Sequence, residues 1–173
     1  MTDSSAPDHP VRVLVTYASR MGSTAEIAQA ISARLSTAGL DVSATPCDQA
    51  PSPEAFDAVV CGSAIYNNRW VKAARHFVHA NTSSLGQRPT WLFESGPCGD
   101  VAEQRHESSR SVLRAAREIG CDPPKVFGGN LDPARAKSRL ARWVANSDLA
   151  GDYRNWDEID AWADGIARSL AAR

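Results

Sequence analysis

The 173-residue sequence lacks any apolar run long enough to cross a membrane, and its four cysteines include no C-x-x-C pair. Without such a run at either end, neither a signal peptide nor a membrane span is predicted, and we expect a cytoplasmic protein. The cysteines lie at positions 47, 61, 98 and 121, a spacing that suggests neither a zinc site nor a disulfide framework. Only Cys98, in a Gly/Pro-containing stretch, is a candidate for contact with a ligand.

A strong charge of one sign is also missing, since 19 basic and 20 acidic residues give a net charge of −1. The distribution is uneven, because residues 101–143 carry nine basic and five acidic side chains. No aromatic residue lies between positions 101 and 126, so this basic segment does not indicate a nucleic-acid surface. The length predicts one domain over residues 11–173, after a flexible lead of residues 1–10.

The clearest pattern is an apolar run followed by an amphipathic segment near the start of the chain. Residues 11–15 form a β-branched-rich run suited to a buried parallel strand. The spacing of Ile27, Ile31 and Leu35 then places one apolar stripe along a helix. A strand, a short loop and a helix are therefore predicted in that order.

The loop between this strand and helix has neither of the common nucleotide-binding patterns. No Lys follows Gly22, which excludes a Walker loop, and no G-x-G-x-x-G is present, which excludes the dinucleotide fingerprint. Instead, the hydroxyls of Ser19, Ser23 and Thr24 stand beside the free N–H groups of the helix's first turn. Such an arrangement predicts a site for a single phosphate group.

Two loop sequences resemble those of flavodoxin-like proteins. Ser19-Arg20-Met21-Gly22-Ser23-Thr24 is similar to their phosphate loop, and most similar to the branch that contains menaquinone-dependent protoporphyrinogen oxidase. Gly62-Ser63-Ala64-Ile65-Tyr66 resembles the same branch. The resemblance implies an α/β flavodoxin-like three-layer sandwich with a five-stranded parallel sheet of order 2-1-3-4-5. That order is the one known for flavodoxins themselves, and it is taken from them rather than from the spacing.

In such a sheet the loops after strands one, three and four line one crevice, and the resemblance implies that FMN binds there. Tyr66 or Trp70 would give an aromatic cover for the ring, unless Trp70 instead packs beneath the next helix. Asn67 and Asn68 would bond to the polar edge of the ring. The implied cofactor-binding residues are Ser19, Arg20, Met21, Gly22, Ser23 and Thr24, then Ser63, Ala64, Ile65, Tyr66, Asn67, Asn68 and Trp70, and finally Ser95, Gly96, Pro97, Cys98, Gly99 and Asp100.

Further strands and helices follow from apolar spacing along the chain. Strands are predicted over residues 40–45, 56–63, 89–95 and 125–131, and helices over residues 70–80 and 112–119. The last helix is predicted from one stripe that places two tryptophans in the core: Trp156, Ile159, Trp162, Ala163, Ile166 and Leu170.

No side chain is predicted as a catalytic acid, base or nucleophile, and His76 and His79 have no third ligand nearby for a metal. The sequence thus favours an FMN-binding oxidoreductase or electron-transfer protein that meets a redox partner protein or a small-molecule substrate. Three alternatives remain: menaquinone-dependent protoporphyrinogen oxidation, a pure electron carrier, and a flavin-free binding module of the same fold. The segment 131–149 lacks the strongly apolar basic helix of the quinone-linked enzymes, so membrane docking is not expected.

Overall fold

The computed structural model describes residues 9–96, 108–131 and 151–173. Strands and helices in these ranges are β1 (Arg12–Ala18), α1 (Ser23–Thr37), β2 (Asp41–Pro46), β3 (Ala58–Tyr66), β4 (Arg69–Trp70), α2 (Lys72–Ala80), α3 (Thr82–Gly86), β5 (Thr90–Ser95), α4 (Arg110–Ile119), β6 (Lys125–Phe127), β7 (Asn130–Leu131), β8 (Gly151–Asp152) and α5 (Trp156–Ala171). Most of the predicted flexible lead, the predicted binding loop 97–100 and most of segment 131–149 lie outside the described residues.

The main sheet has the order β2-β1-β3-β5-β6, and these five strands are parallel to their neighbours. Since β4 is a two-residue strand that lies off this path and pairs only with β3, β5 and β6 are the fourth and fifth strands of the parallel series. The predicted order 2-1-3-4-5 and the α/β fold are therefore confirmed. The order puts the carboxyl ends of β1, β3 and β5 side by side.

Two helical layers cover the sheet, each over its own apolar cluster. On one face α1 and α5 pack on the sheet, and the predicted stripe of Ile27, Ile31 and Leu35 is fully buried there. On the other face α2, α3 and α4 pack through side chains such as Phe77, Leu85 and Val112. Each fully buried side chain of this size contributes about 1.5–3 kcal/mol, so α1 is fixed firmly against the sheet.

The predicted fifth strand is divided in the structure. β6 ends at Phe127, and β7 pairs antiparallel with β8 after an intervening Gly128-Gly129. A Cβ on Gly128 would lie 1.9 Å from the carbonyl oxygen of Tyr153, so the two backbones meet where only glycine fits. The prediction of a single strand over 125–131 was wrong, because β7 pairs with β8, which comes from a distant part of the chain.

The final helix begins at Trp156 as the apolar stripe predicts, but Trp156 itself is not in the core. Its side chain is 41% exposed, and the Arg154 guanidinium lies 4.6 Å from the centre of its ring. Ile159, Ala163 and Ile166 of the same stripe are buried. The core position predicted for Trp156 was wrong, because its ring packs against the Arg154 guanidinium at the exposed start of α5.

Candidate functional site

A crevice of about 100 Å³ lies at the carboxyl ends of the central strands. We define it by the described residues that line it: Ser19, Met21, Ser23, Thr24, Ala64, Ile65, Tyr66, Ser95, Gly96, Gly129 and Asn130. The loops predicted to meet are therefore brought together. Pro97, Cys98, Gly99 and Asp100 lie outside the described residues.

The loop between β1 and α1 folds back on itself and leads into the N-terminus of α1. Gly22 adopts φ 93°, a left-handed conformation that other residues disfavour, immediately before α1. Its N–H donates to the Ser19 hydroxyl at 3.0 Å, which closes the loop on itself. The 15-residue helix α1 then presents the free N–H groups and positive dipole end of its first turn to the crevice.

Thr24 carries a buried hydroxyl without a partner. The residue is 1% exposed, and its Oγ1 makes no hydrogen bond with any described residue. Ser23, in contrast, is already engaged, since its Oγ accepts the Asn130 N–H at 3.0 Å and lies 3.5 Å from the Ser95 hydroxyl. An unsatisfied buried hydroxyl costs about 1–3 kcal/mol, and an acceptor bound in the crevice would satisfy the Thr24 hydroxyl.

Loop residues 64–70, predicted as a connection, instead form a hairpin. β3 continues to Tyr66, and Asn67 and Asn68 turn the chain at φ 48° and 56° into β4. Two consecutive positive φ values are those of the tight turn that favours Asn and Gly in hairpins. Asn67 and Asn68 are exposed and do not line the crevice, whereas the half-buried Tyr66 does.

Trp70 lies in the core and not in the crevice. It is 3% exposed, and its Nε1 donates to the Glu94 carboxylate at 2.7 Å. Ser108 donates to the other oxygen of the same carboxylate. Ser63 is also structural, because its buried hydroxyl donates to the Ala64 carbonyl and accepts the Val71 N–H, both at 2.9 Å. Of the two predicted ring-covering aromatics, only Tyr66 is in place.

Two cations lie close to the loop, and their surroundings differ. The side chain of Arg154 is 5% exposed and donates to Asp152 and Glu26, and these bonds, chiefly that to Asp152, raise the pKa of its guanidinium. Arg20 is exposed, and its guanidinium lies 4.7 Å from the centre of the Tyr66 ring. Arg20, a predicted binding residue, lines a neighbouring cavity with Tyr17 and Pro46 and not the crevice as defined above.

Gly129 and Asn130 belong to the crevice although the sequence did not identify them. Asn130 contributes through its backbone N–H, a donor that every residue except proline has, so no residue type indicates it. Their position at the carboxyl end of the predicted fifth strand was the available signal, because carboxyl ends of parallel strands share one edge of the sheet. Within the described residues, no group of three or more potential metal ligands occurs.

Comparison with known proteins agrees with this geometry. The Flavodoxin domain family matches residues 14–138. No curated protein matches the chain. A flavodoxin from the domain Archaea is 17% identical, with a TM-score of 0.66 over 92% of this chain and 99% of that one. Flavodoxin 2 of Bacillus cereus is also 17% identical, with a TM-score of 0.63 over 91% and 99%.

The fold also occurs within a longer protein. The rubredoxin oxygen:oxidoreductase of Desulfovibrio gigas is 18% identical, with a TM-score of 0.63, and the match covers 95% of this chain but 37% of that one. Identities this low establish the shared fold alone, and none of these comparisons shows the protoporphyrinogen oxidase branch. The family match spans most of the sequence, and the sheet order and the strand-end crevice agree with it: the chain belongs to the flavodoxin domain family.

Proposed function

We propose that this protein binds FMN non-covalently in the crevice and works as an FMN-dependent oxidoreductase or electron-transfer protein. The observation that carries the proposal is the buried, unpartnered Thr24 hydroxyl at the start of α1, among the described residues of the crevice. Flavodoxin-family proteins typically bind flavin, which makes a flavin phosphate the acceptor that fits this hydroxyl. Bound FMN supplies the ability to accept electrons and pass them on.

The residues of this chain have separate tasks in that proposal. Ser19, Gly22 and Thr24, with the first N–H groups of α1, hold one phosphate, and no second phosphate site is indicated by the sequence, which favours FMN over FAD. Tyr66 and Ile65 present an aromatic and an apolar surface beside the ring. The backbone after β5, including Gly96, offers hydrogen-bonding groups to its edge.

The partner is proposed to be a redox protein or a small molecule met in the cytoplasm. Flavodoxin-like proteins generally transfer electrons to partner proteins, and no helix in the described ranges is long and apolar enough to cross a bilayer. Whether a substrate is turned over separates an oxidoreductase from a pure carrier. Steady-state reduction of a chemical acceptor and of candidate protein partners by the reduced protein measures this difference.

The phosphate site is tested with Thr24→Val, which removes the orphan hydroxyl and keeps the side-chain shape. A hydrogen bond to a charged group contributes about 1.5–3 kcal/mol, so the dissociation constant for FMN should rise about tenfold or more. Fluorescence titration of FMN into the protein measures it. Thr37→Val is the matched control, because Thr37 lies in the last turn of the same helix and its hydroxyl donates only to Ala33.

The purified protein should also be yellow. A colourless protein that leaves FMN fluorescence unchanged on titration would contradict FMN binding and favour the flavin-free module. If Thr24→Val and Thr37→Val instead bind FMN with equal affinity, the phosphate lies elsewhere.

A further inference from the structure

A second cavity lies between α2 and α4, on the sheet face opposite α1. Its apolar part has a volume of about 410 Å³ and a floor of Trp70, Val78 and Leu92, which are only 2–5% exposed. Its polar part, about 440 Å³, adjoins the β3–β4 hairpin. The two parts share Arg75 and Ser111, so they form one continuous feature, which we call the α2–α4 groove. These sizes are typical of small-molecule sites.

The polar end of the α2–α4 groove is strongly basic. Arg69, Arg75 and Arg110 line it, and none of them pairs with a carboxylate of the described residues. The sequence has no acidic residue between positions 58 and 93, so no carboxylate from this whole stretch offsets them. At the other end Arg114 is neutralised by Glu118 at 2.8 Å. The groove is thus cationic at one end and apolar along its floor.

The start of α4 adds to the charge imbalance at the polar end. Helix N-termini favour negative charge, yet α4 begins with Arg110, has no acidic residue in its first turn and has no side-chain cap. Ser109 and Ser111, whose hydroxyls lie 3.0 Å apart, line the groove at this point. The three arginines are exposed, so water screens part of their mutual repulsion, and an anion bound among them would relieve the remainder.

We propose that the α2–α4 groove binds a small amphiphilic anion. Its carboxylate, phosphate or sulfonate head lies against Arg69, Arg75 and Arg110, where planar guanidinium groups suit such acceptors. Its aliphatic or aromatic body covers Trp70 and Leu92 in the apolar part. A free molecule fits better than a lipid within a bilayer or a flat protein face, because these floor side chains are recessed between two helices.

The proposed site is separate from the FMN crevice but adjacent to it. Asn67 and Asn68 line the polar end of the groove, whereas Tyr66, the residue before them, lines the crevice. One hairpin therefore forms a wall of both sites. The inference does not depend on FMN binding, because every group that carries it lies in α2, α4, β4 or β5.

Decanoate, acetate and decyltrimethylammonium are the probes, titrated by calorimetry into the protein with and without added FMN. Decanoate should bind, acetate should bind at least a hundredfold more weakly because it lacks the apolar body, and the cation of equal chain length should not bind. The Trp70 indole N–H resonance, identified with Trp70→Phe, should shift on addition of decanoate.

Two variants test the location. Arg75→Gln, at the junction of both parts, should weaken decanoate at least tenfold. Ala115→Asp, which introduces a carboxylate on the α4 wall, should weaken it further. Arg117→Gln is the matched control on α4, because Arg117 is exposed and lines neither part of the groove. Circular dichroism verifies that each variant is folded.

Several outcomes would overturn the proposal. Decanoate would bind elsewhere if Arg75→Gln left its affinity unchanged or if FMN displaced it. Equal affinities of decanoate and the cation decyltrimethylammonium would also place the ligand elsewhere. If the protein pelleted with phosphatidylglycerol vesicles and Arg75→Gln abolished this pelleting, the ligand would be a lipid surface. Tighter binding of a hexaglutamate peptide than of decanoate would indicate a docking face for an acidic protein.

Discussion

Gly62, in the middle of β3, is required because a neighbouring side chain lies too close for a Cβ, and not because of its backbone conformation. A Cβ at this position would lie 2.0 Å from Cζ of Phe93. Phe93 is itself fully buried, with its ring 6.0 Å from that of Phe127 and 6.1 Å from that of Trp162. The aromatic cluster therefore has no room to move aside, and the glycine is what allows these rings to pack in tilted and edge-to-face contact.

Gly62→Ala should accordingly destabilise the fold. Overpacking a close-packed core costs about 1–3 kcal/mol, and urea unfolding should show a correspondingly lower free energy of unfolding. Gly165→Ala is the control, since a Cβ there would meet nothing closer than 3.9 Å in the middle of α5. The control should be neutral or slightly stabilising because alanine favours a helix. Equal stability of Gly62→Ala and the unaltered protein would contradict the steric argument.

The thiols differ in their chemistry although all three in the described ranges are free. Hydrogen bonds from Cys61 and from Thr16, the latter at 3.4 Å, lower the pKa of the Cys47 thiol. Hydrogen bonding to Cys47 and full burial raise the pKa of Cys61. Burial raises the pKa of Cys121 to about 11. Cys47 is therefore the thiol most readily ionised among these three.

Iodoacetamide at pH 7.5 should modify Cys47 before Cys61 and Cys121, as followed by peptide mass spectrometry. Only the thiolate reacts, and the pKa of Cys47 is lowered whereas that of Cys121 is raised to about 11, so Cys47 has the larger thiolate fraction. Labelling should accelerate as the pH rises towards the pKa of Cys47. Thr16→Val removes one donor and should slow it. Faster modification of Cys121 would contradict the assignment.

At the scale of single elements, the sequence predicts what is periodic and misses what depends on distant partners. α1 and the buried face of α5 follow from spacing alone, because their apolar stripes face one continuous sheet. The β3–β4 hairpin was missed because Asn67-Asn68 is a weaker turn signal than Asn-Gly and β4 has only two residues. β7 and β8 pair across a long stretch of chain, which no local pattern reveals.

The hairpin is anchored from inside by Trp70 and Glu94. Trp70→Phe keeps the aromatic bulk but removes the 2.7 Å bond to a carboxylate that is 1% exposed. Leaving a buried polar group with one donor fewer costs about 1–3 kcal/mol, so the free energy of unfolding should fall by that amount. FMN affinity should fall as well, because the hairpin carries Tyr66.

Trp91→Phe is the matched control for this substitution. Trp91 lies on β5 and packs on the opposite apolar cluster, where it is half-buried. Denaturation and FMN titration of both variants separate the effect of the anchor from that of a smaller aromatic ring. Losses of similar size in the two variants would indicate that the Glu94 bond contributes little to the hairpin.

At the scale of the whole molecule, the sheet order could be predicted but the detailed walls of its sites could not. Alternating strands and helices restrict the topology to a few arrangements, and the resemblance of the Ser19–Thr24 loop selects one. Which aromatic reaches the crevice depends on the register of a two-residue strand, and that register places Trp70 opposite Ile65 and inside the core. The α2–α4 groove also had no sequence signal, because its arginines come from separate elements.

The last prediction concerns membranes and rests on the sequence of segment 131–149, most of which lies outside the described residues. A monotopic enzyme that passes electrons to a membrane quinone needs a helix with several large apolar residues on one side. At helical spacing the segment offers only Leu140, Trp143 and Val144 as a contiguous patch. We therefore expect little of the protein to pellet with anionic liposomes.

Near-physiological salt is the condition that makes this measurement decisive. Charge attraction between liposomes and the basic residues is then screened over about 8 Å, so pelleting reports apolar insertion. Leu140→Asp provides the matched comparison, since a carboxylate in the patch would release any protein held by insertion. Three results together would favour the quinone-linked function over electron transfer to a water-soluble partner. Most of the protein would pellet, Leu140→Asp would release it, and a quinone would rapidly reoxidise the reduced protein.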